Sequence, residues 1–477
     1  MRVFVFLCVV FQVAVLYAQS KTGFVGEEMP LDSVYAPALT EHTSLQPVLR
    51  SSVKYSLLKR DSSERKFGIQ GICDAGFFGG NGQTYRAGGG FLAEFAPNQK
   101  WYARIAGVEG IANGTGNLIP KAYLTDQQKN YTLYTDIRSR VSFSPNEIFN
   151  FQAGVDKNFI GEGSRSLFLS DYGNAYPFGM IRTKFWRLEY SMIYQFYREQ
   201  TTSGWLNKNG ATHYISFNAT KWLNFGVFET VIFLPKDTML NRGYDAEYLN
   251  PVVFYRPQEY SMGSSDNVLI GASFSARYKA HMLYGQFILD EFFLAEIKAK
   301  SGWWANKYGG QIGVKGRIQK HGIPLFYRIE YNALRPYTYA HLNSGQNYGN
   351  LGSVLAHPLG SNFMEILGEL KAQKGKWNLK VFASYFLQGL DKDGYSYGGN
   401  IYQPYTNRPY DYGHFIGQGK GNNGVRTLIQ IGYCLHRLTN LNVFVENQLR
   451  YDIAFDKYTY IGALGIRSQL WNDYRNY

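Results

Sequence analysis

Cysteine is almost missing from this chain, with three residues in 477. The eight histidines are scattered and show no His-x-x-x-His spacing, so no metal framework is expected and no cofactor is implied. Charge is sparse, at 18% against a usual level of about 25%. Long apolar runs are missing past the N-terminus, and mean hydropathy is −0.29, which argues against spanning helices of about 18 residues or more. Length alone would suggest about three domains, but large β-barrels break that rule as single units. The chain is rich in aromatic residues, at 17% with 39 Tyr, and in Gly, at 51 residues. A disordered chain would lack the aromatics. The composition is that of a Gly-, Tyr- and Phe-rich β protein. The formal charge of +13 fits nucleic acid in principle, but the N-terminus points to export and away from it.

Residues 1–19, MRVFVFLCVVFQVAVLYAQ, have the form of a secretory signal peptide. Arg2 supplies the positive start, Val3 to Leu16 the apolar stretch, and Ala18 a small residue for cleavage. Cleavage leaves Cys73 and Cys434. The alternation of the strands that carry them turns these two residues to opposite faces, so they are expected to stay unpaired. Residues 20–66 contain Pro30, Pro37 and Pro47 and lack alternation. They read as a periplasmic extension, either tucked into a barrel mouth or free.

From residue 67 to 477 a two-residue period repeats. In 441–451, Leu441, Val443, Val445, Leu449 and Tyr451 alternate with Asn442, Glu446, Gln448 and Arg450, which puts one apolar and one polar face on a strand. Similar runs occur at 67–77, 85–95, 131–143, 186–197, 268–278, 377–388, 424–436 and 458–470. They are longer than the ~5–6 residues of soluble strands and match the ~9–11 needed to cross a bilayer at a tilt. A lipid-facing sheet must close, because an open edge leaves unpaired amides in hydrocarbon. Short turns, such as those near Thr183–Lys184, Lys279 and His436–Asn440, alternate with long segments, such as 109–130, 157–178, 198–210, 291–308, 333–361 and 389–423. Eight turns and nine loops imply an all-β transmembrane antiparallel barrel of about 18 strands, with short periplasmic turns and long extracellular loops. The last strand is expected to run into Leu470, Trp471 and the terminal Tyr477.

Charged residues on the inward face include Arg138, Arg140, Arg187, Glu365, Glu369, Arg426, Glu446 and Arg450. Ions beside lipid are costly, so these should face the lumen and pair. They fit a salt-bridge network that stiffens the wall, or a lined pore. The long loops are rich in rings: Tyr337 and Tyr339 in one, and Tyr395, Tyr397, Tyr402, Tyr405, Tyr410, Tyr412 and His414 in another. Flat rings with a polar edge suit sugar rings as stacking partners. These residues are candidate glycan contacts, or else they pack the loops into a cap. No enzymatic role is expected. The run Gly161-Glu162-Gly163-Ser164-Arg165-Ser166 lacks the ending of a phosphate loop, and Asp391-Lys392-Asp393-Gly394 lacks the twelfth-position Glu of a calcium loop.

Three segments resemble the Wzi-type capsule-assembly family of outer-membrane proteins. The first runs from Gly154 to Asp171 and includes Gly161, Gly163, Ser166, Leu169 and Ser170. The second is Glu247-Tyr248-Leu249-Asn250-Pro251. The third is His357-Pro358-Leu359-Gly360-Ser361-Asn362, followed by inward Glu365. The resemblance covers roughly 60–470 and extends to the family's RemB-like gliding-motility branch. It implies an 18-strand barrel that holds surface polysaccharide outside the cell. Asn250, His357 and Asn362 would then either fold loops over the lumen or contact ligand. Residues 20–66 are too short and Pro-broken for the family's helical bundle, so a motility or secretion partner is the alternative to a capsule role. A porin-like channel is a third reading.

Overall fold

The computed structural model describes residues 67–472 and Tyr474, apart from 81–83, 99, 114–123, 129, 202–203, 237–242, 245, 250–265 and 454–455, together with 23–25, 42–50 and Leu58. The signal segment, most of 20–66, Asn250, Pro251 and Tyr477 lie outside the described residues.

Eighteen long strands form one closed antiparallel barrel, each bonded to its neighbours in sequence. They are β1 (Phe67–Gly80), β2 (Thr84–Asn98), β3 (Trp101–Asn113), β4 (Thr132–Phe143), β5 (Phe149–Asp156), β6 (Tyr176–Phe185), β7 (Leu188–Thr201), β8 (Gly204–Asn218), β9 (Leu223–Phe233), β10 (Asn267–Tyr278), β11 (His281–Glu291), β12 (Lys307–Lys320), β13 (Ile323–Leu334), β14 (Phe363–Lys374), β15 (Trp377–Leu390), β16 (Lys420–His436), β17 (Leu441–Asp452) and β18 (Lys457–Ser468). The barrel closes where Ile461–Arg467 of β18 pairs with Gly80–Asp74 of β1. A short ribbon, Leu124–Gln127, lies against the start of β4.

The period-2 pattern explains the wall. Ile312, Ile329, Ile366, Ile431, Val445 and Leu464 are exposed on the outside, where lipid takes the place of water. Trp101, Trp186, Trp222, Tyr278 and Trp377 are exposed at the short-turn end, as an interfacial girdle requires. Cys73 faces out and buried Cys434 faces in, and both are free thiols.

Three expectations need correction. The turn placed near Thr183–Lys184 is at Trp186–Arg187, with Trp186 at φ 55°. Arg187 therefore sits outside the lumen and donates to the Ala219 carbonyl at 2.9 Å. The segment 198–210, read as a loop, is mostly strand, because β7 and β8 continue in register as far as Thr201 and Gly204. The last strand stops at Ser468. Beyond the apolar band Leu470 and Trp471 would stand in water, and the chain instead turns into the lumen. There Leu470 packs against Ile72 and Leu92, Trp471 lies 4.1 Å beneath the Arg138 guanidinium, and the Tyr474 hydroxyl donates to Asp171.

The lumen is occupied. The loop 157–175 drops into it and carries Leu167, Phe168 and Leu169 into a core with Ile193, Phe228, Leu269, Ile288, Tyr339 and Phe363. Phe168 stacks on Phe228 at 4.5 Å with the planes 3° apart. Part of the N-terminal segment is inside as well. Leu45–Gln46 pairs antiparallel with Phe159–Ile160, and His42 Nδ1 is 2.7 Å from Ser216 Oγ.

Candidate functional site

At the long-loop end of the barrel four described segments take two roles. The segments 157–175 and 335–362 form an inner plug. The segments 301–306 and 391–419 lie over it as a roof.

The described family-like residues belong to the plug. Ser166 Oγ donates to the Ile160 carbonyl, and Ser170 Oγ donates to the Ala356 carbonyl, each at 2.5 Å. Leu169 is fully buried and bridges Ile160. The Gly161 N–H donates to the Ser44 carbonyl at 2.7 Å. A Cβ on Gly163 would fall 2.5 Å from Glu330 Oε2, so only glycine lets the plug backbone approach that carboxylate. His357 is fully buried, stacked on Phe363 at 4.2 Å, with Nε2 2.9 Å from Glu365 Oε2. Arg165 Nε lies 3.8 Å from the same carboxylate. Burial holds the His357 pKa below its ordinary value, although Glu365 pulls the other way. Pro358 follows it within the same turn. Asn362, at φ 58°, is the clamp between plug and roof. Its Nδ2 donates to the carbonyls of Gly389, Tyr397 and Gln418 at 3.0, 3.2 and 3.0 Å, and its Oδ1 accepts from the Gly417 N–H at 2.7 Å.

The named lumen charges are held by ion pairs, by amides and by a ring. Arg138 meets Asp136 at 3.3 Å and Arg140 meets Asp156 at 3.0 Å. Glu369 is held by Arg328 and Lys371, each at 3.2 Å. Buried Glu446 accepts from Gln448 at 2.7 Å, and Arg450 donates to Gln448 at 3.3 Å. Arg426 lies 4.7 Å over the Phe386 ring. A cavity of ≈ 100 Å³ lies between this wall and the segments 46–47 and 470–472, lined by Arg104, Arg138, Arg140, Asp156, Trp471 and Tyr474 among others. It is well below the ~300 Å³ at which small-molecule pockets begin.

The roof separates the predicted tyrosines. Tyr337 and Tyr339 are fully buried, so they cannot stack on a ligand. The Tyr337 hydroxyl donates to the Ser396 carbonyl at 2.8 Å and the Tyr339 hydroxyl to the Leu167 carbonyl at 2.6 Å. Tyr402 also points inward, donating to Glu199 Oε1 at 3.0 Å and to the Ser353 carbonyl at 3.2 Å. Burial, then the Glu199 carboxylate, pushes its pKa far up. Tyr397 and Tyr405 are half-buried, and Tyr395 is exposed. Tyr410 and Tyr412 remain accessible, at 41% and 54%.

These last two rings are brought together with residues that the sequence reading missed. Gly302, at φ 68°, has no room for a Cβ, which would stand 2.7 Å from the His414 nitrogen. The two roof loops therefore meet backbone to backbone. The Gly413 N–H donates to the Ser301 carbonyl at 2.8 Å, His414 to Gly302 at 2.8 Å, and Trp304 to Asp411 at 3.0 Å. This brings Trp303 to 4.9 Å from Tyr412 and Trp304 to 4.7 Å from Tyr405. Arg408 lies 4.1 Å over Trp304 and donates to Asp411 Oδ1 at 2.6 Å. Tyr410 packs on His414 at 4.7 Å. The His414 Nε2–H donates to the Tyr410 carbonyl at 2.8 Å, leaving Nδ1 to accept from Gln418 at 2.8 Å. Burial holds the His414 pKa low. The adjacent Trp pair beside Gly302 was the available signal, and eight Trp in the chain make it a rare one. The result is a shelf of ring faces edged by one guanidinium and one carboxylate. Among the described residues no group of three or more His, Cys, Asp or Glu could hold a metal ion.

No protein-family profile and no curated protein sequence matches the chain. Solved structures do. Wzi of Escherichia coli, described as an outer-membrane protein involved in group 1 capsule assembly and a carbohydrate-binding β-barrel, superposes with a TM-score of 0.55. It shares 12% identity, with 85% of each chain covered. OprD of Pseudomonas aeruginosa superposes with a TM-score of 0.44 at 9% identity, over 84% of this chain and 94% of that one. OccAB4 of Acinetobacter baumannii reaches 0.44 at 7% identity, over 85% and 98%. The chain thus has the fold of an 18-strand outer-membrane β-barrel like that of Wzi.

Proposed function

We propose that this protein is a non-enzymatic outer-membrane scaffold that holds surface or capsular polysaccharide on the roof formed by Trp303, Tyr410, Tyr412, Arg408 and Asp411. The observation that carries this reading is the exposed ring shelf on top of a plugged barrel. Sugar rings present C–H faces to aromatic rings and hydroxyl edges to ions, and this shelf offers both. The filled lumen supports a scaffold over an open pore. The Wzi-like fold supports the same reading, because Wzi is described as carbohydrate-binding. The net charge of +13 favours an anionic polysaccharide by long-range attraction, a contribution that salt screens.

The test is binding of detergent-solubilised protein to surface polysaccharide and to a glycan array. Trp303→Ala with Tyr412→Ala should lose about tenfold or more in affinity, since each stacked ring contributes on the order of 1 kcal/mol beyond its area. Both variants should keep the heat-modifiable mobility of a folded barrel. Failure of the intact protein to bind any surface glycan, with unchanged surface polysaccharide in a deletion strain, overturns the proposal. Crosslinking to a motility or secretion protein under those conditions would favour the partner reading instead.

A further inference from the structure

The loop that follows β11 carries an apolar surface with nothing over it. Between Glu291 and Asn306 the chain forms a short helix, Leu294–Lys298, none of whose residues is buried. Phe292 is 53% exposed, Phe293 57%, Leu294 52% and Ile297 38%. Four large apolar side chains within six residues make a contiguous patch, which soluble surfaces rarely leave bare. The backbone there is ordered by its own contacts. The Phe293 N–H donates to Asn306 Oδ1 at 2.6 Å, and Ala299 closes the helix on Ala295 at 2.9 Å. The patch is therefore presented by a formed element.

Its height can be worked out from the strand beneath it. From His281 to Glu291 is ten residue steps at ~3.3 Å each. At a tilt of ~40° they climb ~25 Å, which is the height of the apolar band of such barrels. Phe292 to Ile297 thus begin where that band ends. The lipid-facing row leads straight up to them. On β11 the exposed residues are Leu283 and Phe287, and on β12 Tyr308 lies 6.2 Å from Phe287, ring to ring. The patch continues the lipid interface. The roof begins only after it, where Ser301–Trp304 turns back over 411–414. Lys298 and Lys300 flank the patch, with Glu296 as the one opposing charge on the segment, and are all placed for the headgroup layer.

We infer that Phe292–Lys300 is an interfacial anchor in the outer leaflet. Phe292, Phe293, Leu294 and Ile297 enter the boundary of headgroups and acyl chains, and Lys298 and Lys300 meet the phosphates of the anionic outer-leaflet lipid. Amphipathic elements at such a boundary bind through buried apolar area and through basic residues together. The anchor sets how high the aromatic roof stands above the membrane. This inference rests on the proposed placement of the long-loop end at the outer leaflet, and it is independent of glycan binding.

The experiment is nitroxide accessibility in the full-length protein, reconstituted in phosphatidylethanolamine vesicles containing lipopolysaccharide. Labels are placed one at a time by Leu294→Cys, Ile297→Cys, Ile312→Cys and Tyr412→Cys, in a Cys73→Ser, Cys434→Ser background. Oxygen reports lipid and a water-soluble nickel complex reports water. The ratio of oxygen to nickel accessibility at 294 and 297 should match that at 312 and exceed that at 412 by about threefold or more, as for groups ~5–10 Å inside the boundary. Values at 294 and 297 equal to that at 412, with 312 in lipid, overturn the anchor and leave the barrel reading intact. Exclusion of both reagents at 294 and 297 means that protein covers the patch, and this also overturns it. A water-like value at 312 overturns the membrane placement itself.

Discussion

Tyr337, Tyr339 and Tyr348 lie in one outer loop, and Tyr395, Tyr410 and Tyr412 in the next. The first three are fully buried and the second three are exposed. The two loops share a composition of Tyr, Gly, Asn and His. What separates them is what lies beneath. Loop 335–362 meets the apolar floor made by Leu167, Phe168 and Leu169 and sinks into it. Loop 391–419 sends only Ile401 and Tyr402 down to that core and otherwise lies over it, held by Asn362. The same side chain is a core element in one loop and an exposed ring in the other, and what lies beneath the loop decides which.

The largest effect should come from removing a ring from the buried set. Tyr339→Ala is expected to cost about 3–5 kcal/mol, as for other large aromatic truncations in cores. It should raise conductance in planar bilayers and should speed proteolysis within 335–362. Tyr339→Phe removes only the bond to the Leu167 carbonyl and should cost about 1 kcal/mol. Equal behaviour of the two variants would mean that ring packing does not hold the plug.

A smaller effect should follow from cutting the link between the loops. Asn362→Ala loses four hydrogen bonds to the roof and its strand tops, and buried carbonyls left unpaired typically cost about 1–3 kcal/mol. Hydrogen exchange should accelerate across 391–419 and stay slow in 157–175. A uniform change across both segments would show that roof and plug open as one unit.

Acidification should loosen both loops. Burial holds His357 and His414 below the ordinary histidine value, and His341 down to about 4, with Lys307 adding to burial in that case. In an opened loop these residues return to about 6.5. The opened form therefore binds more protons as pH falls below about 6.5, and closure weakens from there until His341 protonates in place near 4. Each histidine contributes at most about tenfold per pH unit to the opening equilibrium. Protease cleavage of the long loops, followed from pH 7.5 to 4.5, should rise on the acid side. A flat profile, or one that falls, contradicts this assignment.

The smallest effect on stability should come from the exposed set. Tyr410→Ala and Tyr412→Ala should change thermal unfolding by about 0.5 kcal/mol or less, as surface substitutions usually do. The same variants should weaken glycan binding. Tyr402→Ala, once an equal candidate, should instead behave as a plug mutation, because its hydroxyl is spent on Glu199 and Ser353.

The wall was legible in the chain because a strand's two faces are written two residues apart. Val443, Val445 and Leu449 outside, with Asn442, Glu446 and Gln448 inside, could be read directly, and eighteen such strands with it. The turn at Trp186–Arg187 was misplaced because alternation continues through a two-residue turn without an obvious break. The roof was only half legible. Tyr410 and Tyr412 carry the aromatic signal of their loop, but Trp303 and Trp304 come from about a hundred residues earlier in the chain, and no local period joins them to Arg408. The inward tail at Leu470–Tyr474 was hidden for a related reason, since nothing near it states that the lumen has room.

Sequence alone determined the closed barrel, its strand number and the inward row of charges, because each depends on local alternation and on the cost of exposing polar groups to lipid. Tertiary structure decided which loop fills the lumen, which tyrosines stay accessible, and that Gly302 lets the two roof loops meet. Those outcomes depend on competition between distant segments for one enclosed volume, and no segment carries the result of that competition by itself.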